Sequence, residues 1–208
     1  MKKTVSINLN GILFNIDDDA YLLLENYLRK VEAHFSGQEG VNEIMNDIEA
    51  RIAEILNEKL GNTKTVVSLA NIEEVIKTMG EPDEFAGTED KREYRTSYTS
   101  GSQHYKRMYR DPDNSVLGGV CGGIGAYTDV DPVIFRILFV VAFLGFGAGL
   151  LIYIILWIVI PEAKTTAQKL EMRGEQPNAS NIGNFIRDEF ESVKNSFKGK
   201  RRKGSRKY

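Results

Sequence analysis

The sequence predicts a small α+β N-terminal domain, a β-hairpin plus three helices, joined to a mainly α membrane domain with one kinked transmembrane helix. Three observations predict it. Asn10-Gly11 separates two runs of alternating polarity. Three later stretches repeat apolar residues at helical spacing, and each meets a glycine. From Ile137 to Ile160 no side chain is charged. That is about two dozen residues or ~36 Å of helix, enough to cross a ~30 Å hydrocarbon core with some tilt.

The hairpin comes first. Val5, Ile7 and Leu9 alternate with Ser6 and Asn8, and Ile12, Phe14 and Ile16 alternate with Leu13 and Asn15. Asn-Gly suits a type I′ turn, whose two central residues need positive φ. A two-residue loop pairs Leu9 with Ile12, Ile7 with Phe14 and Val5 with Ile16, and sets all six side chains on one face. A lone hairpin is unstable, so that face needs a cover. Helices provide it. Asp17 or Asp18 caps a first helix over about 20–35, ending near Gly37, with Leu24, Tyr27, Leu28, Val31 and Phe35 as its stripe. A second covers about 41–60, with Ile44, Ile48, Ile52, Ile55 and Leu56 on one face and Gly61 as its stop. A third begins at Asn71, with Glu74 closing a capping box. Its stripe is Ile72, Val75, Ile76 and Met79, and Gly80 with Pro82 ends it.

The net charge of −2 hides an asymmetry: residues 39–90 are acidic and the chain from Lys194 is strongly basic. The sum therefore says little about partners. The one cysteine, Cys121, excludes an internal disulfide. Met1-Lys2-Lys3 leads into an alternating run and not an apolar one, so a cytoplasmic start is expected. Asp17, Asp18 and Asp19 stand at a helix start, where negative charge suits the macrodipole, and they lack EF-hand spacing. His34 has no cysteine neighbour. No enzyme is expected, and no cofactor or metal. Tyr27-Leu28, Asp47-Ile48-Glu49 with Ile52 and Ala53, and Ile76 with Met79-Gly80-Glu81-Pro82 resemble the small acidic helical domains called HAAS. These stand at the cytoplasmic start of bacterial membrane regulators, and the resemblance, over about 21–85, implies an interaction module.

After a Ser/Thr/Gly-rich flexible linker comes Leu117-Gly118-Gly119-Val120-Cys121-Gly122-Gly123-Ile124. No Lys-Ser/Thr follows, so this is no phosphate cradle. Small residues of this kind let a helix approach another backbone closely. That run, with Tyr127, Asp131-Pro132, Arg136, Phe139, Tyr153, Leu156-Trp157 and Pro161, resembles the PspC (phage shock protein C) domain. The resemblance implies a bacterial inner-membrane protein of an envelope-stress response. Such a domain senses membrane disturbance and exchanges partners with a peripheral effector and a transcription regulator. Carried over residue by residue, Gly118, Gly119, Gly122 and Gly123 pack the membrane entry. Asp131 is the N-cap and Pro132 the first residue of the span. Arg136 reaches the interface or a lipid phosphate, and Trp157 sits at the interface. Gly145, Gly147 and Gly149 loosen the middle. Arms of about 12 residues reach only ~18 Å each, so one kinked span is favoured over a re-entrant hairpin.

The expected organisation is 1–87 hairpin-plus-helices, 88–104 linker, 105–163 membrane domain with its span over about 133–160, and 164–208 connector and tail. In the tail, residues 168–180 read as a polar connector. Ile182, Phe185, Ile186, Phe190, Val193 and Phe197 then form an apolar helical stripe. Lys198, Lys200, Arg201, Arg202 and Lys203 follow as lipid or partner contacts on an anionic leaflet. The equal reading is a helix packed on the N-terminal domain with a solubilising end. The expected function is a membrane-anchored envelope-stress regulator that senses membrane perturbation and signals by protein–protein interaction. Membrane lipids, phage-shock-type regulatory proteins or a transcription regulator, and a second copy of the chain are the expected partners. Nucleic acid is disfavoured. The alternatives are a membrane-shaping protein acting by its span and tail, and a membrane-tethered DNA-binding regulator.

Overall fold

The computed structural model describes residues 3–61, 66–82 and 106–204, without the side chains of 146, 148 and 197–204. The linker expected at 88–104 lies outside the described residues. In chain order the elements are β1 (Thr4–Leu9), β2 (Ile12–Asp17), α1 (Asp18–Phe35), α2 (Val41–Leu60), α3 (Leu69–Met79), α4 (Val120–Thr128), α5 (Pro132–Phe146), α6 (Ala148–Val159), α7 (Thr166–Arg173) and α8 (Ala179–Gly204). They fall into two compact units. Residues 1–98 with 178–208 form the first, and 99–177 the second.

In the first unit β1 and β2 pair antiparallel with Leu9 opposite Ile12, Ile7 opposite Phe14 and Val5 opposite Ile16. Asn10 (φ 47°) and Gly11 (φ 84°) turn the chain in the left-handed region, and Asn8 Oδ1 accepts the Gly11 N–H at 2.8 Å. Leu9, Phe14 and Ile16 are buried, while Ile12 beside the turn stays exposed. A segment unforeseen in the sequence adds to the sheet. Val67 bridges Ile16 in parallel and is fully buried; its N–H donates to Asn15 O at 2.8 Å and its oxygen accepts from Asp17 N–H at 3.0 Å.

Helices α1, α2 and α3 bury the expected stripes, except that Leu28 is only half-buried. Helix α3 begins earlier than expected. Ser68 is its cap, with both its N–H and its hydroxyl donating to Asn71 Oδ1 at 3.0 and 2.7 Å. With that start Asn71, not Glu74, is the third residue of the helix and closes the box, and the Glu74 carboxylate pairs with Lys59 on α2 at 2.6 Å. Helix α8 completes this core. Ala179, Ile182 and Ile186 are buried. Gly183 lies so close to Phe35 that a Cβ there would sit 2.5 Å from its ring, and Lys194 pairs with Glu39 at 2.8 Å. The inner half of the tail's apolar stripe is therefore core of the first unit, and Phe190 and Val193 further along are partly exposed.

The second unit corrects the expected fold class. The one kinked transmembrane helix is absent, and no described helix is long and apolar enough to cross a membrane. Two helices, α5 and α6, stand in its place. Gly147 adopts φ +66°, ends α5 through its N–H to Phe143 O and starts α6. Gly149 then lets α6 lie against the α5 backbone, since a Cβ there would sit 2.6 Å from Phe143 N. Fifteen and twelve residues reach only about 22 and 18 Å. The stretch expected as a polar connector also holds a helix, α7. Thr165 caps it by accepting the Gln168 N–H at 3.3 Å, and Ala167, Leu170 and Met172 are buried.

The docking of α8 is testable in the full chain. Ile186→Ala should lower unfolding free energy by about 2–4 kcal/mol, as a fully buried large-to-small change does. Val193→Ala, at a half-exposed position, should cost less than about 1 kcal/mol. Equal denaturant midpoints for the two variants would show that α8 is not part of the core.

Candidate functional site

The second unit is assembled on the glycine face of α4. A Cβ at Gly123 or Gly119 would collide with the backbone carbonyls of Tyr109 and Asp111, and at Gly122 it would sit 2.9 Å from Asn114 O. Residues 109–114 thus lie directly on the helix, a contact only glycine permits. Buried Asp111 holds that segment in shape. Its N–H donates to Gly119 O at 3.1 Å, and its Oδ1 accepts the N–H groups of Asp113 and Asn114 at 3.0 and 3.3 Å. Gly118 (φ +62°) faces the indole of Trp157, with room for no side chain between them.

Arg110 joins the two ends of this arrangement. Nη1 donates to Gly118 O at 2.8 Å, Nε to Ile160 O at 3.0 Å and Nη2 to Glu162 Oε2 at 3.2 Å. Its backbone N–H donates to Pro161 O at 2.8 Å, and its carbonyl accepts from Ala163 N–H at 3.1 Å. The fork thereby ties the entry before α4 to the exit after α6. Helix α7 is tied to the same loop. Lys169 pairs with Asp113 at 2.7 Å, and the Tyr109 hydroxyl donates to buried Glu171 at 3.1 Å. Burial, reinforced by that carboxylate, raises the Tyr109 phenol above its ordinary range.

Asp131 caps α5 by accepting the Val133 N–H at 2.9 Å, and Pro132 is at the start of that helix. Arg136 reaches back to the loop, donating through Nη2 to Asn114 O at 3.0 Å and to Asn114 Oδ1 at 2.8 Å. The Tyr153 hydroxyl donates to Leu117 O, and its ring packs edge-on against Phe139 at 5.3 Å. The opposite surface of the hairpin is bare hydrocarbon. Val133, Ile137, Leu138, Val141 and Leu144 on α5 and Leu151, Ile155 and Ile158 on α6 are 47–77 % exposed.

The structure thus brings Gly118, Gly119, Gly122, Gly123, Asp131, Pro132, Arg136 and Trp157 into one unit. Lys198, Lys200, Arg201, Arg202 and Lys203 belong to the last turns of α8 in the other unit, and their side chains lie outside the described residues. Arg110, Tyr109, Lys169 and Glu171 were not foreseen. Arg110 stood out only as one charge in a basic run, because no local pattern shows which carbonyls a guanidinium will meet. Among the described residues no group of three His, Cys, Asp or Glu could hold a metal ion.

The family model of the PspC domain matches residues 106–163. This segment is a PspC domain. The match covers a little over a quarter of the chain and coincides with the glycine face, the Arg110 fork and the hairpin. PspC points to a stress-response family of the phage-shock type, whose proteins are generally membrane-associated. No curated protein and no solved structure matches the chain.

Two outcomes test the PspC domain's geometry. Arg110→Lys keeps the charge but cannot fork, so it should leave loop and helix-end carbonyls unpaired and cost about 2–3 kcal/mol in unfolding free energy, read by denaturant titration. Burial raises the Cys121 thiol above its ordinary range, against a smaller lowering by Arg136. Iodoacetamide should therefore react slowly at pH 7 in the folded protein, with the rate rising only above the usual thiol range and becoming normal in denaturant. A fast reaction of the folded chain at pH 7 would contradict the buried placement.

Proposed function

We propose that this chain is a non-enzymatic regulator of an envelope-stress response at the cytoplasmic face of a bacterial inner membrane. The hairpin of α5 and α6 seats it in the lipid, and the first unit signals by contact with regulatory proteins. The observation that carries this reading is the charge-free exposed surface of the hairpin. Soluble monomers rarely leave contiguous apolar patches beyond a few hundred Å² in water. Both arms are short of a ~30 Å core, which supports insertion into one leaflet.

Chain connectivity supports the same picture. The PspC domain leaves the first unit at one end and returns to it at the other, because α8 is packed into that unit's core. A packed body stays on one side of a bilayer, so the segment between its parts cannot cross once. Membrane perturbation then changes how the hairpin is seated, and its joint is the contact of α5 and α6 with the glycine face. Glu43, Asp47, Glu49, Glu54 and Glu58 on α2 give the first unit a carboxylate-rich helix, in keeping with a HAAS-like interaction module. A partner with a basic surface, or a transcription regulator carrying one, fits such a face.

The test is topology in intact cells. In a Cys121→Ala background, single cysteines at exposed Glu32 and Glu189 should both resist an impermeant maleimide and both react after permeabilisation. Labelling on opposite sides would overturn the reading. So would failure of the purified full chain to float with phosphatidylglycerol-containing vesicles.

A further inference from the structure

We infer that the PspC domain holds one anionic phospholipid, with an acyl chain in a cavity beside the hairpin and the phosphate at Arg136. The inference rests on the proposal that the hairpin sits in lipid. The cavity measures about 310 Å³. Its walls include Val116, Leu117, Val140, Phe143, Leu150 and Tyr153. This is the size range of small-molecule sites, with apolar walls and few polar groups.

Those polar groups are gathered at one place. Arg136 and Asn114 both line the cavity, and they are bonded to each other through Arg136 Nη2. Nε and Nη1 of Arg136 have no partner among the described residues. A planar guanidinium with donors to spare matches the two non-bridging oxygens of a phosphodiester. Both carboxylates of the loop are engaged elsewhere: Asp113 pairs with Lys169, and Asp111 Oδ1 accepts the N–H groups of Asp113 and Asn114. Charge and hydrocarbon side by side select an amphiphile. A peptide would leave its amides unpartnered against the apolar walls, at a cost of about 1–3 kcal/mol for each, whereas an acyl chain has none. The source is a leaflet and not bulk water. Val116, Leu117, Val140 and Leu150 are all more than half exposed, so the cavity has an open apolar rim, and a chain can slide in sideways from a leaflet.

The test uses the full chain purified in detergent with an equimolar mixture of phosphatidylglycerol and phosphatidylcholine. Native mass spectrometry should find one retained lipid per protein, enriched several-fold in phosphatidylglycerol. Val140→Trp fills the cavity from its exposed rim and should remove the adduct while flotation with vesicles of the same lipids persists. Arg136→Gln should erase the preference for phosphatidylglycerol. Asn114→Ala, which leaves the guanidinium in place, should keep it. An adduct that survives Val140→Trp, or no adduct in a parent chain that floats, would overturn the lipid site and leave the seating of the hairpin standing. An adduct in a chain that does not float would do the reverse. Displacement of the lipid by millimolar inorganic phosphate would also overturn it, since the acyl chain would then contribute nothing.

Discussion

The second unit depends on the Arg110 fork. Carbonyls at the end of a helix and in the loop before another have no partner of their own. Ile160 is the first residue past α6, and Gly118 lies just before α4. One guanidinium satisfies both and still reaches Glu162. It also sets a positive charge at the C-terminal end of α6, where the macrodipole favours a cation. The backbone bridge between Arg110 and Glu162 repeats the connection without side chains. Two stretches about 50 residues apart are thereby fixed edge to edge, and the hairpin between them becomes a closed loop.

Inside that loop the choice between one helix and two is made by a single residue. Hydropathy is the same for a straight span and for a hairpin of the same sequence. Gly147 decides through φ +66°, a conformation that costs other L-residues about 1–2 kcal/mol. Gly149 makes the resulting turn productive by admitting the partner helix backbone. Of the three glycines read as loosening a span, Gly147 ends it, Gly149 admits the returning helix, and Gly145 stays inside α5.

What was legible in the chain was local. Alternation and Asn10-Gly11 were enough for the hairpin register, because turn type and pleat together leave one pairing. The stripes of α1, α2 and α3 were legible from helical spacing, and the cap at Asp131 from the resemblance to the PspC domain. Non-local choices were not. The chain enters α3 from Val67's bridge to Ile16, and Ser68 is then the cap and Asn71, not Glu74, the third residue that closes the box. Helix α7 has only three inward apolar residues among polar ones, so its burial follows from the surface it meets. Close approach at Gly119, Gly122 and Gly123 could be expected from their size, but the segment that approaches them, and the arginine that locks it, could not.

Helix α8 sets core packing in its inner turns against a basic end. Ile182 and Ile186 are wholly within the first unit, and withdrawing them would cost about 2–4 kcal/mol each. The five basic residues of its last turns, Lys198, Lys200, Arg201, Arg202 and Lys203, gain about 1 kcal/mol each near an anionic leaflet. The two sums are comparable, so attraction to lipid has no reason to strip the helix from its core. In the seating proposed above, the inner turns therefore stay docked and the outer turns alone would meet the leaflet. The basic end and the acidic α2 belong to one packed body, which the proposed seating would keep on one side of the membrane. A polybasic end on the cytoplasmic leaflet conflicts with a single span, and the proposed one-leaflet hairpin would remove the conflict by returning the chain to the side it came from.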